Sequence, residues 1–164
     1  MKIYTAAEMR EHEQMAVDKG TTFEQLMENA GQATAADLLR RFPKAGRALI
    51  VCGKGNNGGD GLVIARVLSE QDWQVDVVFV LGDKLSPLAQ LNRERLNHSD
   101  GVSFIRPDEL EGRLKTGCDL VIEGIFGTGF SGALPETAAA VCRLLNQADG
   151  FKIALDIPTG LNCD

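Results

Sequence analysis

Five short aliphatic runs, at residues 48–52, 75–81, 102–105, 120–123 and 153–156, alternate along the chain with stretches of helical periodicity. A run that is apolar at successive positions has no polar side to turn to water, so it reads as a strand covered on both faces. Parallel neighbours are reached only through a crossover, and strand–helix–strand repetition supplies one each time. The expected fold is therefore α/β, a three-layer αβα arrangement around a mainly parallel five-stranded sheet. Its connecting helices are expected at 60–70, 87–97, 107–114 and 135–147. Three of these begin at proline, whose fixed φ suits a first helical turn and whose missing N–H costs nothing there.

Two further helices precede the sheet. Thr5 with Glu8 three residues on forms a capping box, and that helix runs to about Asp18. Gly20 interrupts it, Thr22 restarts it, and Leu26, Met27, Ala30, Ala33, Leu38 and Phe42 supply the apolar positions until Pro43. With no repeat or linker, residues 1–164 read as one domain. The chain stops eight residues past the last run, just after a polar motif, and is expected to be the truncated front part of something longer.

Composition narrows the function classes. A net charge of −6, no basic cluster, and one Trp and one Tyr give a phosphate-tracking surface little to work with, so no nucleic-acid partner is expected. Cys52, Cys118, Cys142 and Cys163 are widely separated and read as reduced thiols. The amino terminus has no apolar signal region, and no apolar stretch approaches the ~18 residues of a membrane span. A cytoplasmic location without membrane attachment is expected.

In an open parallel sheet, ligands bind outside the carboxyl ends of the strands. Three polar or glycine-rich segments fall there: Gly53-Lys54-Gly55-Asn56-Asn57-Gly58-Gly59-Asp60-Gly61, then Glu123-Gly124-Ile125-Phe126-Gly127-Thr128-Gly129, and Asp156-Ile157-Pro158-Thr159-Gly160. The first contains G-x-G-x-x-G in Gly53, Gly55 and Gly58, but the ribose-binding acid of a dinucleotide dehydrogenase is missing about twenty residues on. Asp60 in a first helical turn would also repel a pyrophosphate. An ordinary NAD-dependent dehydrogenase is therefore disfavoured; a plain glycine-rich turn with Asp60 as a cap is the simpler alternative.

The oxygen donors of Asn56, Asn57, Glu123 and Thr159 suit a hard cation, and a monovalent one such as K⁺ better than zinc, because no His or Cys lies in these motifs. The plainer alternatives are a strand-end carboxylate accepting backbone N–H groups and a turn hydroxyl. Asp156, placed rigidly at the sheet rim before Ile157-Pro158, suits acid–base work or a substrate hydroxyl, with a turn role as its alternative. Residues 127–133, with Thr128, Ser131 and three glycines ahead of a helix, suit a phosphate cradle, with a flexible surface loop as the alternative. Trp73 reads as packing, and His12 and His98 as exposed helix residues without a role. No nucleophile–His pair and no Walker pattern is present, which disfavours acyl transfer and small-molecule kinase chemistry.

The nine residues from Gly53 to Gly61, Phe126-Gly127-Thr128-Gly129, and Asp156-Ile157-Pro158-Thr159-Gly160-Leu161, in that order behind two helices, resemble the YjeF N-terminal domain family, the NAD(P)H-hydrate epimerases. The resemblance implies a Rossmann-like domain that interconverts the R and S epimers of hydrated NADH and NADPH (NADHX and NADPHX). It places Asn56, Asn57, Gly58, Gly59, Asp60, Gly127, Thr128, Gly129, Phe130, Ser131, Gly132, Ala133 and Asp156 around the substrate. It puts K⁺ at Asn57, Glu123 and Thr159, and makes Asp156 and Glu123 the catalytic pair. Lys84 falls about where some members carry a functional lysine. The family usually has Asp at the position of Glu123 and Ser at that of Thr159, and the longer Glu moves its carboxylate out by one methylene. Homodimers and a fused carboxyl-terminal dehydratase are further implications. Non-catalytic relatives make a nucleotide- or protein-binding module the alternative function.

Overall fold

The structure, a computed structural model, describes residues 4–97 and 99–162; His98 and Cys163 lie outside the described residues. Five parallel strands, β1 (Arg47–Cys52), β2 (Gln74–Phe79), β3 (Val102–Ile105), β4 (Leu120–Gly124) and β5 (Phe151–Ala154), form one sheet in the order β3-β2-β1-β4-β5. The helices are α1 (Ala6–Asp18), α2 (Phe23–Arg41), α3 (Asn56–Ser69), α4 (Pro87–Arg95), α5 (Leu110–Lys115) and α6 (Glu136–Gln147). The chain moves outward from β1 to β3, then returns to pair β4 on the other side of β1. That reversal splays the connections apart at the carboxyl ends of β1 and β4 and opens a crevice there.

The three-layer α/β expectation is met. Ile50, Leu62, Ile64, Leu68, Trp73, Val75 and Val77 close one face of the sheet under α2, α3 and α4. Leu49, Val51, Val78, Leu110, Val121 and Leu145 close the other under α5 and α6. Each fully buried Leu or Ile contributes about 1.5–3 kcal/mol relative to exposure. Trp73 is packing, as its sequence context implied.

Local signals set the helix starts. Glu8 N donates to Thr5 Oγ1 at 3.3 Å and Thr5 N to Glu8 Oε2 at 2.8 Å, which completes the capping box of α1. His12 is exposed and packs edge-on against Tyr4. In α2 the buried side is Met27, Gly31, Ala35 and Leu38, while Ala30 and Ala33 face water. The apolar positions named from the sequence were partly the wrong ones, because closeness rather than hydrophobicity selects here: a Cβ at Gly31 would come within 2.5 Å of Val63.

Some boundaries also shift. β2 ends at Phe79, short of residue 81, and β5 lies two residues earlier than expected. Hydrogen bonding to β4 decides the latter, with Phe151 N donating to Asp119 O at 2.9 Å although Phe151 and Lys152 are exposed. Pro107 opens a 3₁₀ turn before α5, and Pro135 caps α6 from outside it. The largest shift is α3, which starts at Asn56 inside the glycine-rich segment. Among the described residues, no helix is long and apolar enough to cross a membrane.

Candidate active site

The loop after β1 and the loop after β4 touch backbone to backbone. Gly53 N donates to Gly124 O at 3.0 Å, and a Cβ at Gly53 would lie 2.0 Å from Ile125 O. Met27 closes over Gly59 in the same way, at 2.7 Å from where a Cβ would stand. Several glycines of the motif thus serve close packing, and α3 is brought in with its first turn at the crevice. The N–H groups of Asn56, Asn57 and Gly58 have no partner within that helix and face outward from its positive end.

Because α3 begins four residues before Asp60, that residue sits in the second turn and not the first. The objection that its carboxylate would occupy the anion position therefore falls. Burial pushes the Asp60 carboxyl up to about 7, and the Asp156 and Glu13 carboxylates add to the shift. Between the ordinary carboxylate range and that value the folded chain holds a proton that the unfolded chain has lost. Stability contributed by this group therefore falls as pH rises from about 4 to about 7 and is flat beyond. Asp60→Asn removes the proton. In thermal melts the variant is expected to gain on the parent as pH is raised from 5 to 8; a pH-independent difference would remove Asp60 as the source.

Two residues past β5, Asp156 takes a left-handed conformation, φ 66°, off the strand that the sequence assigned it to. Asp tolerates this region better than most residues. The turn aims its carboxylate back at the β4 loop, where Oδ2 accepts from Thr128 N at 2.6 Å. Gly127 permits the approach, since a Cβ there would stand 2.5 Å from the same oxygen. Asp156 is exposed, so the carboxylate is open to a ligand.

Glu123 folds back on its own strand end. Oε1 accepts from Ile125 N and from Thr159 Oγ1, each at 2.7 Å, and Oε2 accepts from Thr159 N at 2.9 Å. Its extra methylene is absorbed in that bend, and the carboxylate does accept backbone N–H groups, as the plainer reading held. Thr159 Oγ1 also accepts from Phe126 N at 3.0 Å. After these bonds Glu123 Oε2 and Thr159 Oγ1 each keep one lone pair. Asn57 donates from Nδ2 to Leu155 O at 3.3 Å, which turns Oδ1 inward, buried and without a hydrogen-bond partner. A buried acceptor left open beside the β4 loop fits a cation and is otherwise costly. No group of three or more His, Cys, Asp or Glu side chains gathers among the described residues, so the chemistry is that of neutral oxygens with one carboxylate.

The rest of the 127–133 segment is less engaged. Phe130 stacks on Phe126 at 4.2 Å, and Gly129, Ser131, Gly132 and Ala133 are exposed. Ser131, Gly132 and Ala133 make no hydrogen bond among the described residues. Lys84 is exposed in the β2–α4 connection. Sequence reasoning passed over Ser86, whose hydroxyl donates to Asn56 Oδ1 at 2.9 Å, and Glu13, whose charge bears on Asp60. The Ser-Pro pair at 86–87 signalled a helix cap, but nothing local signalled where that cap would land.

Residues 23–164 match the family described as YjeF-related protein N-terminus. This chain belongs to that family. Among its relatives, the bifunctional NAD(P)H-hydrate repair enzyme Nnr of Pyrobaculum aerophilum is 38% identical over 85% of the chain and 28% of its own length. The NAD(P)H-hydrate epimerase of Rhodopirellula baltica is 35% identical over 85% of the chain and 57% of its own length. The crystal structure of yeast ynu0 superposes with a TM-score of 0.87 at 26% identity, over all of this chain and 73% of that one. The YjeF-related chain thus spans about 28% of the length of the first of these repair enzymes.

Proposed function

We propose that the chain is an NAD(P)H-hydrate epimerase domain that interconverts the R and S forms of NADHX and NADPHX. One observation carries the reading: an exposed Asp156 carboxylate, held by Thr128 N, stands at the crevice where the loops after β1 and β4 meet. The names of the relatives supply the substrate class.

The chemistry asks for little more. In the hydrated dihydronicotinamide, C6 carries a hydroxyl beside the ring nitrogen. The nitrogen lone pair forms a C=N bond as the C6–O bond breaks, and a carboxylic acid gives its proton so that the hydroxyl departs as water. Water then adds to either face of C6, its proton passing to the carboxylate while the C=N electrons return to nitrogen. One water leaves and one enters, with no net redox change. Asp156 is the group placed to give and take that proton. Asp60 is a second carboxyl that feels the charge of Asp156, and the folded-back Glu123 is a holding group rather than a second acid. The unbonded N–H groups opening α3 suit the pyrophosphate.

Asn57 Oδ1, Glu123 Oε2 and Thr159 Oγ1 are the atoms that would hold K⁺, which when bound supplies positive charge toward an anionic substrate. Bifunctional naming among the relatives supports a second repair activity, a dehydratase, in the whole protein.

The test follows S- and R-NADHX by chromatography with the purified chain, against heat-inactivated protein because epimerisation also proceeds unaided. Acceleration in KCl is expected, together with a melting temperature higher in KCl than in choline chloride, since a ligand that binds only the native state stabilises it. Thr159→Val is expected to abolish the salt difference. No acceleration by folded chain would leave a missing carboxyl-terminal part or a non-catalytic binding module, and the same assay on a longer chain chooses between them.

A further inference from the structure

Two adjacent asparagines open α3, and the structure holds their amides in opposite senses. Asn57 gives its NH₂ to Leu155 O and keeps its oxygen inward. Asn56 does the reverse. Its Oδ1 is taken by Ser86 Oγ at 2.9 Å, and its NH₂ has no partner among the described residues on an exposed side chain.

The direction of that second bond follows from the cap of α4. Ser86 Oγ accepts from Ala89 N at 3.4 Å through one lone pair, and its proton is given to Asn56 Oδ1. Ser86 N donates to Lys54 O at 2.8 Å, which fixes the cap against the glycine-rich loop itself. With Oδ1 turned to Ser86, the Asn56 NH₂ is the end of the amide left without a partner. It joins the free N–H groups of the first turn of α3 in a rim that donates throughout, the arrangement that phosphate oxygens require.

We propose that Ser86 is a positioning residue: through Asn56 Oδ1 it turns the Asn56 NH₂ outward to donate to a phosphate oxygen of the dinucleotide. This rests on the functional reading above. Ser86 acts on the bound dinucleotide through Asn56, apart from its own role as the cap of α4.

The test compares Ser86→Ala, Ser86→Thr, Asn56→Ala and the double variant Ser86→Ala with Asn56→Ala. Ser86→Ala is expected to raise KM for hydrated NADH about tenfold, the size of one hydrogen bond to a charged group, with kcat within about twofold. Ser86→Thr, which keeps hydroxyl and cap, restores KM. In the Asn56→Ala background Ser86→Ala adds nothing to KM, because the two act as one unit. A parental KM in Ser86→Ala, or an equal rise in both backgrounds, overturns the proposal.

A readout independent of activity is the side-chain NH₂ signal of Asn56 in ¹⁵N NMR. In the parent it exchanges with water as a free amide. In Ser86→Asp, where residue 86 can only accept, the amide must turn over and its NH₂ become protected. A parent Asn56 NH₂ that is already protected overturns the assignment. An inactive parent would instead refute the epimerase reading, with the NMR result still deciding the amide's orientation.

Discussion

In Asp156→Asn, turnover of hydrated NADH falls by about 10²- to 10⁴-fold, the contribution of a positioned acid–base group, while the melt stays close to the parent's. Asn is the informative change because it tolerates the left-handed turn at residue 156, φ 66°, and still offers an oxygen to Thr128 N, but carries no exchangeable carboxyl proton. Asp156→Ala loses the same chemistry and also strains a Cβ at positive φ, so it should melt lower by about 1 kcal/mol. The pair separates a proton role from a structural one. Asn with near-normal turnover would leave Asp156 as a turn residue and move the proton transfer to Asp60.

The second large effect is on stability. Gly53→Ala places a Cβ 2.0 Å from Ile125 O and 2.8 Å from its carbonyl carbon. Both are backbone atoms at the end of a central strand, so no side chain can swing aside. The loops after β1 and β4 must separate, which endangers the bond from Gly53 N to Gly124 O. A loss of about 2–4 kcal/mol is expected for overpacking at such a site, or roughly 5–15 °C in Tm for a chain of this size. Gly55→Ala is the control two residues away. It has nothing within 4 Å of the added Cβ and an ordinary φ of −90°, and should stay within about 0.5 kcal/mol of the parent. Equal melts for the two variants would mean that the loops are not in contact.

What was legible in the sequence is what local chemistry dictates. Buried parallel strands need unbroken aliphatic runs, and β1, with Leu49, Ile50 and Val51 closed on both sides, announces itself in that way. Caps are local too, and Thr5 with Glu8 formed the box that their spacing predicts. The glycine-rich motif and the two later segments were recognisable as one rim because the ends of parallel strands share one edge of a sheet. The reading failed where partners are distant in sequence. Gly31 and Ala35 look like weak apolar positions until α3 is laid against them.

The site divides along the same line. Residue types at 56–60, 123 and 156–159 stated that oxygen donors gather at the crevice. The roles of those oxygens were settled only by folding. Asp60 lies in the second turn, and burial with the charge of Asp156 pushes its carboxyl up. Glu123 turned back to Thr159, and Asn56 and Asn57, identical and adjacent in sequence, became a donor and an acceptor through Ser86 and Leu155. A side chain's composition decides which bonds it can make. Which one it makes, and at what proton affinity, depends on neighbours and desolvation that only the packed chain supplies.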